Sequence, residues 1–422
     1  MPALRPRARP RLPPSLQERD FRLLWVSMVA SGVATQMAAV AVGWQVYAIH
    51  HKAFDLGLIG LAEFVPVPLL ALPTGQLADR LSRTRIVAVS TLAEAGVVAL
   101  LLVVTIGGAH QLWQFVVLAA ATGAAAQFGN PAARSLTPQI VPPDLLTGAI
   151  ALRSIAYQAA TIGGPAVGGL LFALSPQAVY ATATALLLVA AVTVATMRSG
   201  AAIEQAVGAE PALRSLLGGI SFIRATPVIL GAISLDLFAV LFGGAVALLP
   251  LYAKSILHTG PFGLGVLRSS IAVGALVAGI GLARRPLRRN AGRTLLVVVA
   301  SYGLCMVVFG LSRWFVLSAL ALGASGLVDM VSMNIRSMTV AVATPNRLRG
   351  RVNAVEGVFI GASNELGAFE SGVAASLLGA VPAVVAGGAV TIALAAVWGR
   401  FFPKLAHVDR MEDLSPESRL VA

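Results

Sequence analysis

Carboxylate side chains lie inside long apolar stretches of this chain, where a charge is costly. Glu63, Asp236, Asp329, Glu365 and Glu370 all occupy such positions. An ionisable group within a membrane is a functional candidate by default, because it has to be paired with another group or take up a proton. These positions therefore predict proton coupling inside a membrane, and the five carboxylates are its candidate carriers.

Other kinds of chemistry find little support in the sequence. The histidines lie in loops or at the ends of apolar runs, and none forms a His-x-x-x-His pair or stands beside a serine nucleophile. The single cysteine, Cys305, excludes a disulfide framework and a cysteine-rich metal site. We therefore expect no cofactor, no metal site and no enzyme activity; a polytopic membrane enzyme is the minor alternative.

The composition is that of a membrane protein. Of the 422 residues, 57% are hydrophobic and 12% charged, and the mean hydropathy is +0.83. Soluble proteins carry about 25% charged residues. The net charge of +13 could indicate nucleic acid as a partner, but basic nucleic-acid-binding domains are not this apolar.

Twelve apolar runs reach the length of about 20 residues that a spanning helix needs. They cover residues 21–48, 55–79, 86–107, 112–133, 146–173, 177–197, 227–254, 262–283, 294–311, 315–341, 352–379 and 382–402. The longest connection separates six runs from six, as expected of two six-helix repeats. The predicted domains are an N-terminal tail 1–20, a six-helix bundle 21–197, a linker 198–226, a second bundle 227–402 and a tail 403–422.

The basic residues predict the orientation of these runs. With the N-terminus inside, all but four of the 31 Lys and Arg residues fall at the inner ends; the exceptions are Lys52, Lys254, Arg268 and Arg313. Such a bias places both termini in the cytoplasm. It also explains the positive charge without nucleic acid and favours contact with anionic membrane lipids.

Within the linker, apolar residues recur at helical spacing. They are Leu213, Leu216, Leu217, Ile220 and Ile223. This pattern predicts a short amphipathic helix at the cytoplasmic membrane surface. The alternative is that the segment is only the beginning of the seventh span.

A basic segment with one acid joins the second and third runs. Its characteristic positions are Gly75, Leu77, Ala78, Asp79, Arg80, Arg83 and Arg85. They resemble the signature loop of the major facilitator superfamily, although Ser82 and Thr84 replace a usual glycine and a usual basic residue. The resemblance implies that Gly75, Asp79, Arg80, Arg83 and Arg85 form a cytoplasmic latch that holds the outward-open state. An ordinary positive-inside loop is the alternative.

The fifth run contains a second matching segment, Gly164-Pro165-Ala166-Val167-Gly168-Gly169. Pro165 bends a helix, and the glycines allow close helix packing. The segment resembles the end of the superfamily's antiporter motif, with Ala160 in place of a further glycine. The resemblance implies export, carried by Gly164, Pro165, Gly168 and Gly169; a simple small-residue packing face is the alternative.

Two further segments narrow the resemblance. Residues 130–134, with the sequence Asn-Pro-Ala-Ala-Arg, and 349–353, Arg-Gly-Arg-Val-Asn, are similar to those of the drug and siderophore exporters in the enterobactin-exporter and macrolide-efflux group. Residues 119–130 lack the arginine that many proton-coupled members carry in the fourth helix. The loop 284–293 keeps the basic charge but not the other residues of a repeated latch.

The superfamily fold implies a central cavity lined by the first, fourth, seventh and tenth helices. Carried over to this chain, it places Gln36, Gln127, Phe238 and Asn364 as substrate-cavity candidates, with Asp236 and Asp329 in the cavity and Glu63 and Glu365 beside it. Glu94, on a support helix, is expected to be structural. The eleventh run also carries a polar stripe that predicts either a water-filled path or helix packing, and its members are Asn353, Glu356, Ser363, Asn364, Gly367, Glu370 and Ser371.

These observations predict an all-α transporter of the bacterial cytoplasmic (inner) membrane that acts as a monomer. We expect it to export an amphipathic or hydrophobic small molecule, such as a drug or a siderophore, by alternating access in exchange for protons. A lysophospholipid flippase of the same fold and a receptor that carries nothing are the alternatives.

Overall fold

The computed structural model of the chain describes residues 13–70, 74, 81–108, 111–198, 212–287, 289–409 and 414. Within these ranges all regular structure is helical, and no strand occurs. The predicted all-α fold is confirmed.

Two sets of six long helices follow one another along the chain. The N-terminal half contains α1 Arg19–His50, α2 Ala53–Phe64 with a continuation to Leu70, α3 Arg83–Ile106, α4 Leu112–Ile140, α5 Leu146–Leu174 and α6 Pro176–Ala195. The C-terminal half contains α7 Pro227–Gly243, α8 Pro261–Arg284, α9 Ala291–Leu311, α10 Phe315–Ala343, α11 Asn346–Leu378 and α12 Ala380–Phe401.

Eleven helices of the described chain are long and apolar enough to cross a membrane. The long helix outside this set is α11, which has 33 residues but carries the predicted polar stripe and several arginines. Its length of about 50 Å exceeds a bilayer core of about 30 Å. The number of twelve spans and the cytoplasmic position of the termini stay predictions.

Several helices extend beyond the apolar runs that predicted them. The fourth run was expected to end at residue 133, whereas α4 continues to Ile140 through Pro131 and Pro138. The eleventh run was expected to begin at residue 352, whereas α11 begins at Asn346. Hydrophobicity marks only the part of a helix that lipid surrounds, and the backbone bonds of the helix can continue into polar surroundings.

The seventh span is interrupted. After Gly243 the chain leaves the α-helix and continues in short 3₁₀, α and π turns to Ile256. The Ser371 hydroxyl of α11 donates a hydrogen bond of 2.9 Å to the carbonyl of Gly244. A polar side chain of a neighbouring helix thus supplies the hydrogen bond for a backbone carbonyl at the break, as a low-dielectric environment requires.

The two ends of the helical assembly differ in charge. We call one the basic end, marked by Arg83, Arg284, Arg347 and Arg400. We call the other the opposite end, marked by His50, Ile256, Pro261 and Leu378. The charge distribution predicts that the basic end is cytoplasmic.

The halves contact each other through α2 with α11, through α5 with α8, and through the end of α1 with the end of the seventh span. In the described residues, hydrogen bonds join the halves at the opposite end and, further along the helices, between Ser269 of α8 and the Ile162 carbonyl of α5. Tyr47 bonds to Ser255 at 2.7 Å, and the Lys254 ammonium donates to the Ala48 carbonyl at 3.4 Å. Further toward the basic end, a Cβ at Gly361, one turn before Glu365 on α11, would meet no atom within 4 Å, and Ile155 of α5, two turns before Ile162, is exposed. In the residues that the structure describes, the halves are therefore in contact toward the opposite end and apart toward the basic end.

The predicted linker helix forms over Ala212–Ala225 and packs on α11 and α7. A Cβ at Gly219 would lie 2.8 Å from the Arg351 carbonyl oxygen and 2.9 Å from Val355, so only glycine fits without displacement. Ile223 is buried and Leu217 is exposed. The helix is thus separate from the seventh span, and its contact with lipid stays a prediction.

The segment after α12 docks onto the first turn of α9. The Asp409 carboxylate accepts a hydrogen bond of 2.8 Å from the Asn290 backbone N–H, and the Val408 carbonyl accepts one of 3.0 Å from Gly292. Residues 403–409 therefore belong to the C-terminal bundle, where the sequence predicted the beginning of a tail.

We expect Asp409→Ala to lower the free energy of unfolding by about 1 kcal/mol, because it removes the side-chain acceptor at a helix N-terminus. Thermal unfolding of the detergent-purified protein measures the change. Lys404→Ala, at an exposed position of the same segment, is the control. An equal shift in both variants would show that the Asp409 hydrogen bond is not stabilising.

Candidate functional site

A cavity of about 780 Å³ lies between the two halves. Its walls are mostly apolar and come from both halves. The polar and charged side chains that line it are Thr35, Gln36, Glu63, Glu94, Thr122, Asn130, Tyr157, Arg268, Tyr302, Ser325, Asp329, Asn364 and Glu365. A space of this size with a few polar groups is typical of small-molecule sites.

Three charged residues from both halves form a group at this cavity, which we call the inter-half triad: Glu63 of α2, Arg268 of α8 and Glu365 of α11. The Arg268 guanidinium interacts electrostatically with both carboxylates. A methyl group added at Gly60, one turn before Glu63, would lie 3.5 Å from a carboxylate oxygen of Glu365. The side chain of Glu365 therefore faces α2, and the triad joins the N-terminal half to the C-terminal half.

Several of the candidates line the cavity, and so does one residue that was expected elsewhere. Gln36 and Asn364 line it, as predicted, together with Asp329, Glu63 and Glu365. Glu94 was expected to be structural on a support helix, but it also lines the cavity. Among the described residues, no charged side chain pairs with Glu94.

Other predicted cavity residues lie elsewhere. Phe238 stacks on Phe242 and meets the edge of Trp398, with ring centroids 6.3 Å and 5.7 Å apart, so it packs between α7 and α12. Gln127 is half-buried on α4 and is not among the described residues that line the cavity. Both corrections have one cause: a helix that lines a cavity turns only part of its circumference toward it.

Asp236 is also absent from the described lining of the cavity, because it is buried inside the C-terminal half. Its carboxylate forms an ion pair with Arg336 of α10, whose Nε also lies 3.9 Å from Glu356 of α11. Asp329 is within electrostatic reach of Asp236 and Arg336. We call these four residues the C-half charge cluster.

Arg336→Met should strongly destabilise the protein. Arg336 is only 4% exposed, and its loss leaves buried carboxylates without their positive partner. Breaking a buried ion pair in this way costs about 3–5 kcal/mol. The yield of monodisperse protein after membrane extraction should fall sharply, whereas Arg347→Met, at an exposed position, should leave it unchanged. Equal yields would contradict the prediction.

The polar stripe of α11 divides between its two predicted roles. Ser363, Gly367 and Ser371 are buried, and Gly367 packs against the backbone of α7. Asn364 faces the cavity, one residue before Glu365. Glu370 lines a separate pocket of about 10 Å³ between α7 and α12. Part of the stripe is thus helix packing, and its middle contributes to the cavity.

The glycines of the predicted antiporter motif pack on two different helices. A Cβ at Gly164 would lie 2.6 Å from the Gln36 side chain of α1, and one at Gly168 would lie 2.8 Å from the Met37 backbone. Gly169 faces the other half: a Cβ added at Gly169 would lie 2.5 Å from the Pro261 carbonyl oxygen of α8. Nearby, the Ser269 hydroxyl donates a hydrogen bond of 2.7 Å to the Ile162 carbonyl. The motif is therefore located where α1, α5 and α8 meet.

Only part of the predicted latch can be placed. Gly75, Asp79 and Arg80 lie outside the described residues. Arg83 begins α3 and is half-buried, and Arg85 is exposed in its first turn. The role of the latch stays a prediction.

Two six-helix halves around a central cavity define a membrane transporter of the major facilitator type. The model of the transmembrane secretion effector family matches residues 12–420, so the chain belongs to that family.

Curated relatives and solved structures agree with this assignment. The multidrug efflux pump Tap of Mycolicibacterium fortuitum is 25% identical over 92% of this chain and 96% of its own length. The enterobactin exporter EntS of Shigella dysenteriae serotype 1 is 25% identical over 79% of this chain and 80% of its own. A bacterial homolog of the human lysosomal transporter Spinster, solved inward-facing and unoccupied, has a TM-score of 0.72 at 13% identity and covers 94% of this chain and 99% of its own.

These matches confirm the predicted resemblance. The chain is a multi-span membrane protein and a transporter, and its relatives are transporters rather than enzymes.

Proposed function

We propose that this transporter exports an amphipathic or hydrophobic small molecule across the bacterial cytoplasmic membrane, by alternating access and in exchange for protons. The observation that carries the proposal is the central cavity. Its volume of about 780 Å³ lies within the range of roughly 300–1,000 Å³ that holds drug-sized ligands. Its mostly apolar wall with a few charged groups suits an amphipathic molecule better than a sugar, which needs many hydrogen-bond partners.

The shape supports loading from the cytoplasm. In the described residues, the halves are in contact toward the opposite end and apart toward the basic end, and the basic end is predicted to be cytoplasmic. An exporter takes up its substrate from that side. Rocking of the halves would then close the basic end and release the substrate at the other.

The names of the relatives support the direction and the substrate class. Tap is a multidrug efflux pump and EntS is an enterobactin exporter. A drug or a siderophore-like molecule is therefore the substrate class that we propose, and the position of Gly169 between the halves fits the predicted antiporter motif.

The inter-half triad supports coupling to protons. Glu63 and Glu365 share one arginine, so the triad carries one uncompensated negative charge at the cavity. A proton or a positively charged part of a substrate can neutralise it, and both cannot do so at once. Competition of this kind couples outward substrate movement to inward proton movement.

Efflux from cells that lack their main pumps tests the proposal, with a panel of drugs, siderophores and lysolipids under an imposed pH gradient. We expect the wild type to lower the accumulation of at least one drug or siderophore and to move protons in response. Glu63→Gln should lose that proton movement, and Asp144→Asn, at an exposed position, should keep it. No export of any compound would overturn the proposal; export of lysolipids alone would favour the flippase.

A further inference from the structure

The central cavity extends from the space between the halves into the N-terminal half. Its lining there includes apolar side chains of α3, α4 and α6, namely Val98, Leu101, Phe115, Ala119 and Leu187. All five are buried and belong to the hydrophobic core of that half. We call the part of the cavity that they line the apolar branch. It is a recess inside one half, beside the space that separates the two.

A layer of hydrogen-bonded side chains joins three helices at the inner end of the apolar branch. The Tyr180 hydroxyl of α6 donates a hydrogen bond of 2.9 Å to Gln45 of α1, and the Gln45 amide donates one of 3.2 Å to Thr105 of α3. Leu101 lies one turn before Thr105, and Leu187 lies two turns after Tyr180. A ligand would therefore enter the branch from the central cavity and not through this layer.

Glu94 lies at the other end of the branch. It precedes Val98 by four residues and Leu101 by seven on α3, so the three side chains share the face of the helix that lines the cavity. Along the helix axis, Glu94 is about 10 Å from Leu101. One carboxyl group thus lies where the apolar branch meets the wider cavity.

The Gln36 amide of α1 lies at nearly the same depth as Glu94. Helices α1 and α3 both run from the basic end to the opposite end, and the Gln45–Thr105 hydrogen bond sets their relative position. Gln36 is nine residues before Gln45, and Glu94 is eleven before Thr105. Their depths therefore differ by about 3 Å. A polar group and an acid line one level of the cavity, directly above an apolar recess.

In the part of the chain that the structure describes, Glu94 has no partner. It forms no hydrogen bond or ion pair there, and no basic side chain lies within electrostatic reach of it. The other central carboxylates differ in this respect, because Glu63 and Glu365 share Arg268, and Asp236 pairs with Arg336. A charged carboxylate without a partner is costly within a membrane. A positively charged ligand beside Glu94 would reduce that cost.

We propose that Glu94 and the apolar branch form a substrate subsite inside the N-terminal half, which binds lipophilic organic cations. The carboxylate faces the positive centre of the ligand, and the branch holds a ring or a hydrocarbon chain attached to it. The uncompensated charge of the inter-half triad borders the same cavity and attracts ligands of the same sign. The subsite favours a basic, lipophilic drug over an acidic siderophore. That the bound cation is also exported rests on the proposed function, whereas its binding does not.

Binding of tritium-labelled tetraphenylphosphonium to the purified full-length protein tests the subsite without transport. This cation has a permanent positive charge and aromatic rings. Unlabelled methyltriphenylphosphonium should displace it, whereas triphenylphosphine oxide, which is neutral and of nearly the same shape, should need a concentration about tenfold higher or more. Tetraethylammonium has the charge without the rings and should also compete weakly, because it leaves the branch unfilled.

The variants locate the cation. Glu94→Gln should lower the affinity for tetraphenylphosphonium by about tenfold or more. It should also unfold at no lower temperature than the wild type, since Glu94 has no partner to lose; a structural role would instead lower the unfolding temperature. Glu94→Asp keeps the charge and should recover part of the affinity. Glu18→Gln, the same substitution at an exposed position, is the control.

A further variant tests the branch separately from the charge. Ala119→Leu fills part of the branch and should lower the affinity for tetraphenylphosphonium by about tenfold, while tetraethylammonium should compete as it does in the wild type. If Ala119→Leu does not fold, Ala119→Val makes the same test with a smaller change. An equal loss for both cations would show that the branch does not hold the rings.

Three results would overturn the subsite. They are a wild type that does not bind tetraphenylphosphonium, a Glu94→Gln variant that folds and binds it as the wild type does, and a loss of binding in Glu63→Gln but not in Glu94→Gln, which would move the cation to the inter-half triad. Export of a panel compound together with any of these results would leave the proposed function standing. Binding that depends on Glu94 without export of any compound would overturn the proposed function and leave the cation site standing.

Discussion

Gly169→Val should reduce export by about tenfold or more, by preventing closure of the halves at the opposite end. Gly169 of α5 packs directly on α8, and an added Cβ would lie 2.5 Å from the Pro261 carbonyl oxygen and 3.2 Å from Gly265. These neighbours are backbone atoms and cannot rotate away. Overpacking of this kind costs about 1–3 kcal/mol, which shifts an equilibrium between two states by about 5-fold to 150-fold.

Cross-linking between the halves measures this closure. Cysteines at Tyr47 and Ser255, whose side chains are hydrogen-bonded across the halves at 2.7 Å, are joined by a short bifunctional thiol reagent after the native Cys305 is replaced by serine. Gly169→Val should lower the cross-linked fraction. Gly163→Val, on the same helix, is the matched control, because a Cβ added there would meet no neighbouring atom within 4 Å. Wild-type cross-linking in Gly169→Val would show that the contact does not control closure.

The general architecture could be predicted because membrane helices leave a strong one-dimensional signal. A spanning helix needs a long apolar run, and the connections between such runs are short. The ends of the helices could not be predicted as well, since backbone hydrogen bonds continue past the lipid boundary. Both the extension of α4 to Ile140 and the early beginning of α11 at Asn346 show this.

The central charges were predicted only in part. In the sequence, Asp329 and Arg336 are seven residues apart, or two turns of α10, and this spacing allows them to pair with each other or with other helices. The distance along the axis is about 10 Å, and the structure pairs Arg336 with Asp236 and Glu356 instead. Spacing along one helix shows which residues share a face, but it does not show what the neighbouring helix presents to them.

Arg268 is the functional candidate that the sequence interpretation missed. It was counted with the few basic residues of the outer side, because it lies near the beginning of its apolar run. The helix begins at Pro261, which places Arg268 about 10 Å along α8. An arginine at that depth is itself a signal of a partner inside the membrane. The identity of its partners, Glu63 and Glu365, depends on how the halves pack and could not be read from the sequence.

Removing that arginine gives the second large expected effect. Arg268→Gln should open the opposite end and greatly reduce export, because Glu63 and Glu365 would then face each other across the halves without a positive charge. The double variant Glu63→Gln/Arg268→Gln should recover cross-linking between Tyr47→Cys and Ser255→Cys, since the repulsion is gone. Coupling energies between contacting residues are about 0.5–3 kcal/mol, so the two substitutions should be clearly non-additive.

The control for this experiment removes the same charge from the same half at a different place. Arg313→Gln lies at an exposed position of the opposite end and should leave both cross-linking and export near wild type. Additive effects of Glu63→Gln and Arg268→Gln on the cross-linked fraction would contradict the triad. Recovery of cross-linking without recovery of export has a specific meaning, because it would separate the proposed contact of Glu63 with Arg268 across the halves from the proposed exchange of a proton by Glu63. The double variant can then still close, but it cannot couple.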